Sequence, residues 1–366
     1  MATRDRNTAP DSSRGPSVIV GGDYYNRNSR LQQTAIQFGL PLLERAIQAI
    51  PLPDPGSVYL VADYGSSEGK NSMEVMREVV RLIRRRAPES VPIVIVHNDQ
   101  PANDFRSLFT LVDREADSYL QTSPNVFCYA SGHSFFERVF PPMQVSLGWS
   151  SIAVHWLSAM PAPIPDHIWN TCAPPDVHAA WTEQARRDWQ RFLEHRAQEL
   201  RPGGRLVILG GGTDARGACG AEGLLHVVNA TLQEMVRAGS LRAHEYFRMA
   251  VPAYNRTREE FEQPFRTGSL QNMLVLEEFR HLVLPEPMWV RYQQDHDAAA
   301  FAEGLTGFFR AFTEPCLFGG LDPDRTPEDS RRLADLYYAS LQRRLADDPE
   351  TARCEWHMGL LLIAKH

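Results

Sequence analysis

Apolar and polar positions along this chain fall into two periods, and their order sets the expected fold. From Asn28 to Ile50 (NSRLQQTAIQFGLPLLERAIQAI) apolar residues recur at helical spacing, with a break or kink expected around Gly39 and Pro41. PLPDPGS then reads as a loop, SVYLVAD as a short buried strand and SMEVMREVVRLIRRR as an amphipathic helix. The pattern repeats with VPIVIVHND as a strand, NDFRSLFTLVDREADSYL as a helix and NVFCYASG as a third strand. It resumes at VSLGWSSIAVHWLS and passes a Pro-rich insert, MPAPIPDHIWNTCAPPD. The long helix HAAWTEQARRDWQRFLEHRAQELR follows, stopped by PGG, and then the strand RLVILGGG. Residues 213–310 read as mostly helical around a turn-rich VPAYNRTREEFEQPF, and ARCEWHMGLLLIAKH reads as a last strand returning to the sheet. Strands apolar throughout and alternating with helices predict an α/β protein, its sheet largely parallel, doubly wound and covered on both faces. Residues 1–17, polar and rich in Pro, Gly and Ser, are expected to be a disordered tail. Residues 18–366 are expected to form one domain with a helical cap built from insertions at about 160–190 and 213–310.

Composition narrows the function. The 366-residue chain is 43% hydrophobic and carries a net charge of −7, which argues against a nucleic-acid binder held by phosphate contacts. The basic run Arg81 to Arg86 ends a predicted helix, where cations suit the dipole. Five scattered cysteines form no CxxC pair, so neither a disulfide framework nor a zinc site is expected, and a reducing cytoplasm fits. No apolar run approaches the roughly 20 residues that cross a bilayer. The first residues lack the apolar core of a signal peptide.

The chemistry starts at VADYGSSEGKNS, residues 61–72. A phosphate-binding P-loop would need Gly at position 64 and Ser or Thr at 71, where this chain has Tyr64 and Asn71. The dinucleotide fingerprint also fails, because Gly65 is followed by two serines. Asp63 before the glycine is awkward for a pyrophosphate but suits a ligand carrying an ammonium group, such as S-adenosylmethionine. Asp99, at the end of the second strand, can accept ribose hydroxyls across the strand ends.

DYGSSEGKN resembles the glycine loop of the SABATH carboxyl methyltransferases, relatives of the salicylate, benzoate and jasmonate enzymes. Four further segments agree in order: GGDYYNRNSRLQQ, HNDQPANDFRSLF, SGHSFFERVFPP and SSIAVHWLSAMP. The resemblance runs from about Gly21 to the C-terminus and implies a Rossmann-like methyltransferase sheet, S-adenosylmethionine as cofactor with S-adenosylhomocysteine as product, and a homodimer. It suggests a bacterial-type member, with fatty acid O-methylation as one specificity.

The resemblance also implies residue roles. Tyr25, Ser29, Asp63, Gly65, Asn71, Asp99, Gln100, Ser134 and Phe135 would hold the cofactor. Ser29 and Asn71 would lie near its carboxylate, Asp63 by its ammonium, Asp99 on its ribose, and Gln100, Ser134 and Phe135 about its adenine. Gln32, His155 and Trp156 are the candidate catalytic residues. Gln32 and the Trp156 indole would hold the substrate carboxylate, and an indole is donor-only. Ile152 stands where the family usually has Tyr, and favours a hydrophobic acid. A carboxylic acid is ionised at pH 7, so in-line methyl transfer needs positioning and no general base or metal. A medium-chain fatty acid is the first expected substrate and an aromatic acid the second. An N- or hydroxyl-methyltransferase, and a nicotinamide-dependent oxidoreductase, are the alternatives.

Overall fold

The computed structural model describes residues 20, 24–28 and 30–366, so the expected tail and Ser29 lie outside the described residues, as does the side chain of Tyr25. The described residues form seven strands: β1 (Tyr59–Tyr64), β2 (Ile93–Asp99), β3 (Val126–Gly132), β4 (Val145–Ser151), β5 (Leu200–Gly211), β6 (Leu274–Pro285) and β7 (Glu355–Lys365). They form one sheet in the order β3-β2-β1-β4-β5-β7-β6. β1 to β5 pair in parallel, while β7 runs antiparallel between β5 and β6. The order reverses between β1 and β4, and ligands of open α/β sheets bind at the strand ends beside such a reversal.

Helices α1 (Tyr24–Asn28), α2 (Arg30–Ala49), α3 (Lys70–Arg84), α4 (Phe105–Arg114) and the short α5 (Tyr119–Thr122) belong to the first half. α2 runs through Pro41 without a break, and Gly39 lets its backbone lie against the Trp149 ring of β4, where a Cβ would come within 2.6 Å of the indole. α3 buries one face, with Met73, Val75, Met76, Val79, Val80 and Ile83, in the same core as β1, β2 and α2. α6 (Pro175–Glu199) closes the other sheet face through Trp189, Phe192 and Leu193.

A separate core unites α7 (Glu222–Arg237), α10 (Pro287–Asp295), α11 (Ala298–Phe318) and α12 (Pro327–Asp347), with Phe301, Leu305, Phe309, Tyr337 and Leu341 at its centre. The short α8 (Ala243–Arg248) and α9 (Arg258–Glu262) complete the set.

Residues 213–310 are mostly helical as expected, but they also contain β6, an edge strand that the pattern did not show, whose charged residues Glu277, Glu278, Arg280 and His281 interrupt the apolar run. Such charges suit an unpaired sheet edge. One expectation needs correction: the sheet is not covered throughout. No helix lies between β3 and β4, and Phe127 and Tyr129 of β3 stay exposed.

Candidate active site

The loops after β1, β2 and β4 build one site, and each motif holds the next. Gly65 has φ +91°, and a Cβ there would run into the Ala153 methyl, so both conformation and space require glycine. The loop hangs on β2. Asn98 O accepts the N–H groups of Gly65 (2.8 Å) and Ser66 (3.1 Å). Asp99 accepts those of Ser67 and Gln100, both at 2.7 Å. Asn103 donates its amide to Ser67 O at 2.8 Å, and Asp104 caps α4 by accepting from Ser107 N at 3.0 Å. The Asn98 amide reaches on to Ser131 O and His133 O, tying in the loop after β3. Burial raises the Asp99 carboxyl to about 6, against the pull of its two backbone bonds.

Two adjoining cavities open at these strand ends. The larger encloses about 1100 Å³ including space open to solvent, and Asp99, Gln100, Phe135, Ile152, His155 and Trp156 line it. The smaller takes in Asp63, Ser66, Gly69, Asn71 and Ser72. Gln32, Gly65, Ser67 and Ser151 line both. Among the described residues, polar atoms at this junction have no partner: Gln32 Oε1, Ser67 Oγ and Ser151 Oγ are buried and unbonded. Buried polar groups are normally satisfied, so these are groups a polar ligand would complete.

Asp63 is fixed from one side. Its Oδ2 accepts the Ser72 hydroxyl and lies 3.3 Å from His97 Nδ1, while His97 Nε2 meets Tyr119 OH at 2.8 Å. Burial opposes a charge on His97, but its bonds to Asp63 and Cys128 lift it to about 9. Both contacts fall on Oδ2, which leaves Oδ1 for a ligand cation. The side chains that would hold S-adenosylmethionine therefore suit it: a carboxylate for its ammonium, a second at the end of β2 for its ribose, and Phe135 for its base.

The structure thus brings together Gln32, Asp63, Gly65, Asn71, Asp99, Gln100, Phe135, Ile152, His155 and Trp156. Ser134 does not join them. Its hydroxyl accepts the Phe136 N–H at 3.3 Å and shapes the loop, so it does not line the cavity. Ile152 takes φ +51°, an uncommon conformation for a β-branched residue, held by its N–H bond to Leu209 O at 2.7 Å. His155 stacks on Trp156, and burial with the nearby Arg256 charge lowers it to about 4, so it is neutral at pH 7.

Sequence reasoning missed the far wall, formed by Trp169, Asn255, Phe308, Phe312, Trp356 and Met358. These come from four separate stretches of chain, and no local spacing joins them. It also missed His97 beneath Asp63.

One His-Cys cluster lies elsewhere. Ligand atoms of His167, Cys172 and His226 fall within 4.8 Å of one another. His167 Nδ1, however, accepts the Trp169 N–H at 3.0 Å, and its Nε2 faces His226. A histidine bound through Nε2 normally carries its proton on Nδ1, so we assign no metal there.

The model of the SAM dependent carboxyl methyltransferases matches residues 20–343, and the chain belongs to that family. It is thus an S-adenosylmethionine-dependent enzyme, and the oxidoreductase alternative is set aside. Salicylate carboxymethyltransferase of Clarkia breweri is 29% identical over 318 residues, covering 81% of this chain and 85% of the relative. Anthranilate O-methyltransferase 3 of Zea mays is 26% identical, covering 94% and 95%. A solved structure of loganic acid methyltransferase with S-adenosylhomocysteine superposes with a TM-score of 0.76 at 24% identity, covering 95% of this chain and 98% of that one, which supports the fold. Among the described residues no helix is long and apolar enough to cross a membrane.

Proposed function

We propose that this chain methylates the carboxylate of a small hydrophobic acid, with the cofactor running from the smaller cavity through the junction to the Asp99 and Phe135 side of the larger one, and the acid in the rest of the larger cavity. The observation that carries this reading is Gln32, which lines both cavities where they adjoin, with Trp156 in the larger one. Bound S-adenosylmethionine supplies an electrophilic methyl group. The chain's own residues do the rest. Asp63 and Asp99 fix the two ends of the cofactor site, with Asn71 near Asp63 and Gln100 and Phe135 beside Asp99. Gln32 and Trp156 donate to the acid's carboxylate. Both donors are neutral, so the oxygen keeps its nucleophilicity. His155, neutral at pH 7, adds no charge to the carboxylate. Phe308, Phe312 and Ile152 exclude water, which strengthens each of these bonds.

Both a medium-chain fatty acid and an aromatic acid suit an apolar cavity. The walls favour a ring: Trp156 meets Phe312 edge to face at 6.2 Å, and Phe308 packs beside Phe312 at 5.1 Å. The homodimer belongs to the same reading.

Thermal unfolding tests the cofactor half: S-adenosylmethionine raises the melting temperature and NAD leaves it unchanged. Kinetics test the acid half: Gln32→Leu raises the acid's KM and lowers kcat. An acid KM and kcat unchanged by that substitution would remove Gln32 from the carboxylate grip.

A further inference from the structure

Resting on the carboxyl methyltransferase reading, we propose that the physiological acid is oxygenated: away from its carboxylate it carries hydrogen-bond acceptors, as a ketone, ether or hydroxyl, which the far wall of the larger cavity binds. The wall is apolar in composition but not in its unpaired atoms. Trp169 and Trp356 both line it, and among the described residues the buried indole nitrogens of both have no hydrogen-bond partner. An indole N–H is a donor only, so what satisfies it must accept. His155 Nδ1, on the same cavity, is likewise buried and unbonded.

Asn255 adds a preformed polar group. Its flanks are pinned by backbone bonds from Tyr254 N to His155 O (2.8 Å), from Arg256 N to Gly211 O (3.1 Å) and from Thr213 N to Arg256 O (3.1 Å). The Arg256 guanidinium, itself buried, fastens this segment to Val154 O (2.7 Å) and Ala185 O (2.9 Å). The Asn255 amide then occupies the space that a Cβ on Gly211 would need, so glycine there makes room for a carboxamide that lines the cavity. Among the described residues that amide has no hydrogen-bond partner. A backbone held this firmly around an unused amide is preorganised for a ligand group.

An unsubstituted hydrocarbon acid would leave these buried groups with nothing to accept from them. Sites built to hydrogen-bond a substrate discriminate strongly against an analogue that lacks the partner, whereas an apolar pocket does so weakly.

The test uses isosteric pairs of acids: para-acetylbenzoate against para-isopropylbenzoate, and octanoate bearing a ketone beside its terminal methyl against the equivalent methyl-branched octanoate. Methyl ester formation is measured for each with the full-length enzyme. We expect kcat/KM at least about tenfold higher for the ketone in the pair that is turned over faster. Asn255→Leu and, independently, Trp356→Phe should shrink that ratio toward one. Trp356→Phe keeps an aromatic ring and most of the packing, so it serves if Asn255→Leu fails to fold. Equal or better turnover of the hydrocarbon members would overturn the inference and leave the carboxyl methyltransferase reading standing. A ketone preference unaffected in both folded variants would overturn the assignment to this wall. Bound cofactor with no acid methylated would overturn both readings together.

Discussion

Removing the Glu199 carboxylate should loosen the cofactor site from behind. Glu199 and Arg196, near the end of α6, are both fully buried. The carboxylate accepts from Arg196 Nε and Nη2 (2.8 Å each), Tyr64 OH (2.9 Å), Val139 N (2.6 Å) and Phe140 N (3.2 Å). Arg196 continues to Phe135 O at 2.7 Å and Glu137 O at 3.0 Å, with its guanidinium 4.3 Å from the Tyr64 ring centre. The pair therefore joins α6 to β1 and to the loop that presents Phe135. Glu199→Ala leaves a buried guanidinium without its counter-charge, a change that costs about 3–5 kcal/mol. Unfolding entropy of about 2.1 cal/mol/K per residue over 366 residues gives about 0.8 kcal/mol/K. The expected fall in melting temperature is then about 4–7 °C. Because Phe135 lines the cavity, the KM for S-adenosylmethionine should also rise, by about threefold to tenfold if about 1 kcal/mol of adenine contact is lost. Replacing both residues by apolar ones, Arg196→Met with Glu199→Leu, should recover part of the stability, since no charge is then stranded. Calorimetry and cofactor kinetics check both effects. A loss below about 1 kcal/mol with an unchanged cofactor KM would mean that the pair neither strands a charge when broken nor holds the Phe135 loop.

Other outcomes follow from the same geometry. Trp156→Phe keeps the ring and removes the donor, so kcat/KM for the acid should fall about 10- to 100-fold, the value of one hydrogen bond to a charged group, while the cofactor KM changes little. Gly65→Ala should abolish cofactor binding, read by calorimetric titration, because it combines φ +91° with a clash at Ala153. Asp99 has a folded pKa raised from 3.8 to about 6, so its contribution to stability is full below about pH 4 and is lost as pH rises through 6. Over that window the carboxylate forms, so cofactor affinity should improve from pH 5 to 7, and Asp99→Asn should flatten the profile.

What the sequence revealed and concealed has physical causes. The strands before Gly65 and Asp99 were legible because buried parallel strands are continuous apolar runs bounded by turn residues. Asp63 and Asp99 were legible from their places at the ends of the first two strands, whereas Gln32 and Trp156 were legible only through resemblance, since a lone amide or indole has no intrinsic signature. β6 was concealed by its charges, which an edge strand tolerates and which blur the period-two pattern. Asn255, Trp169 and Trp356 were concealed because tertiary packing alone brings their segments to one wall. The role of Gly211 is visible only beside the Asn255 amide.

The most direct measurement is to incubate the enzyme with S-adenosylmethionine carrying a deuterated methyl group and a panel of ring-bearing and linear acids, and to locate the label by mass spectrometry. Methyl esters, sensitive to alkaline hydrolysis, are expected, with the label on the carboxylate oxygen. Label on a nitrogen or a hydroxyl, or no transfer from a cofactor that demonstrably binds, would contradict carboxyl methylation.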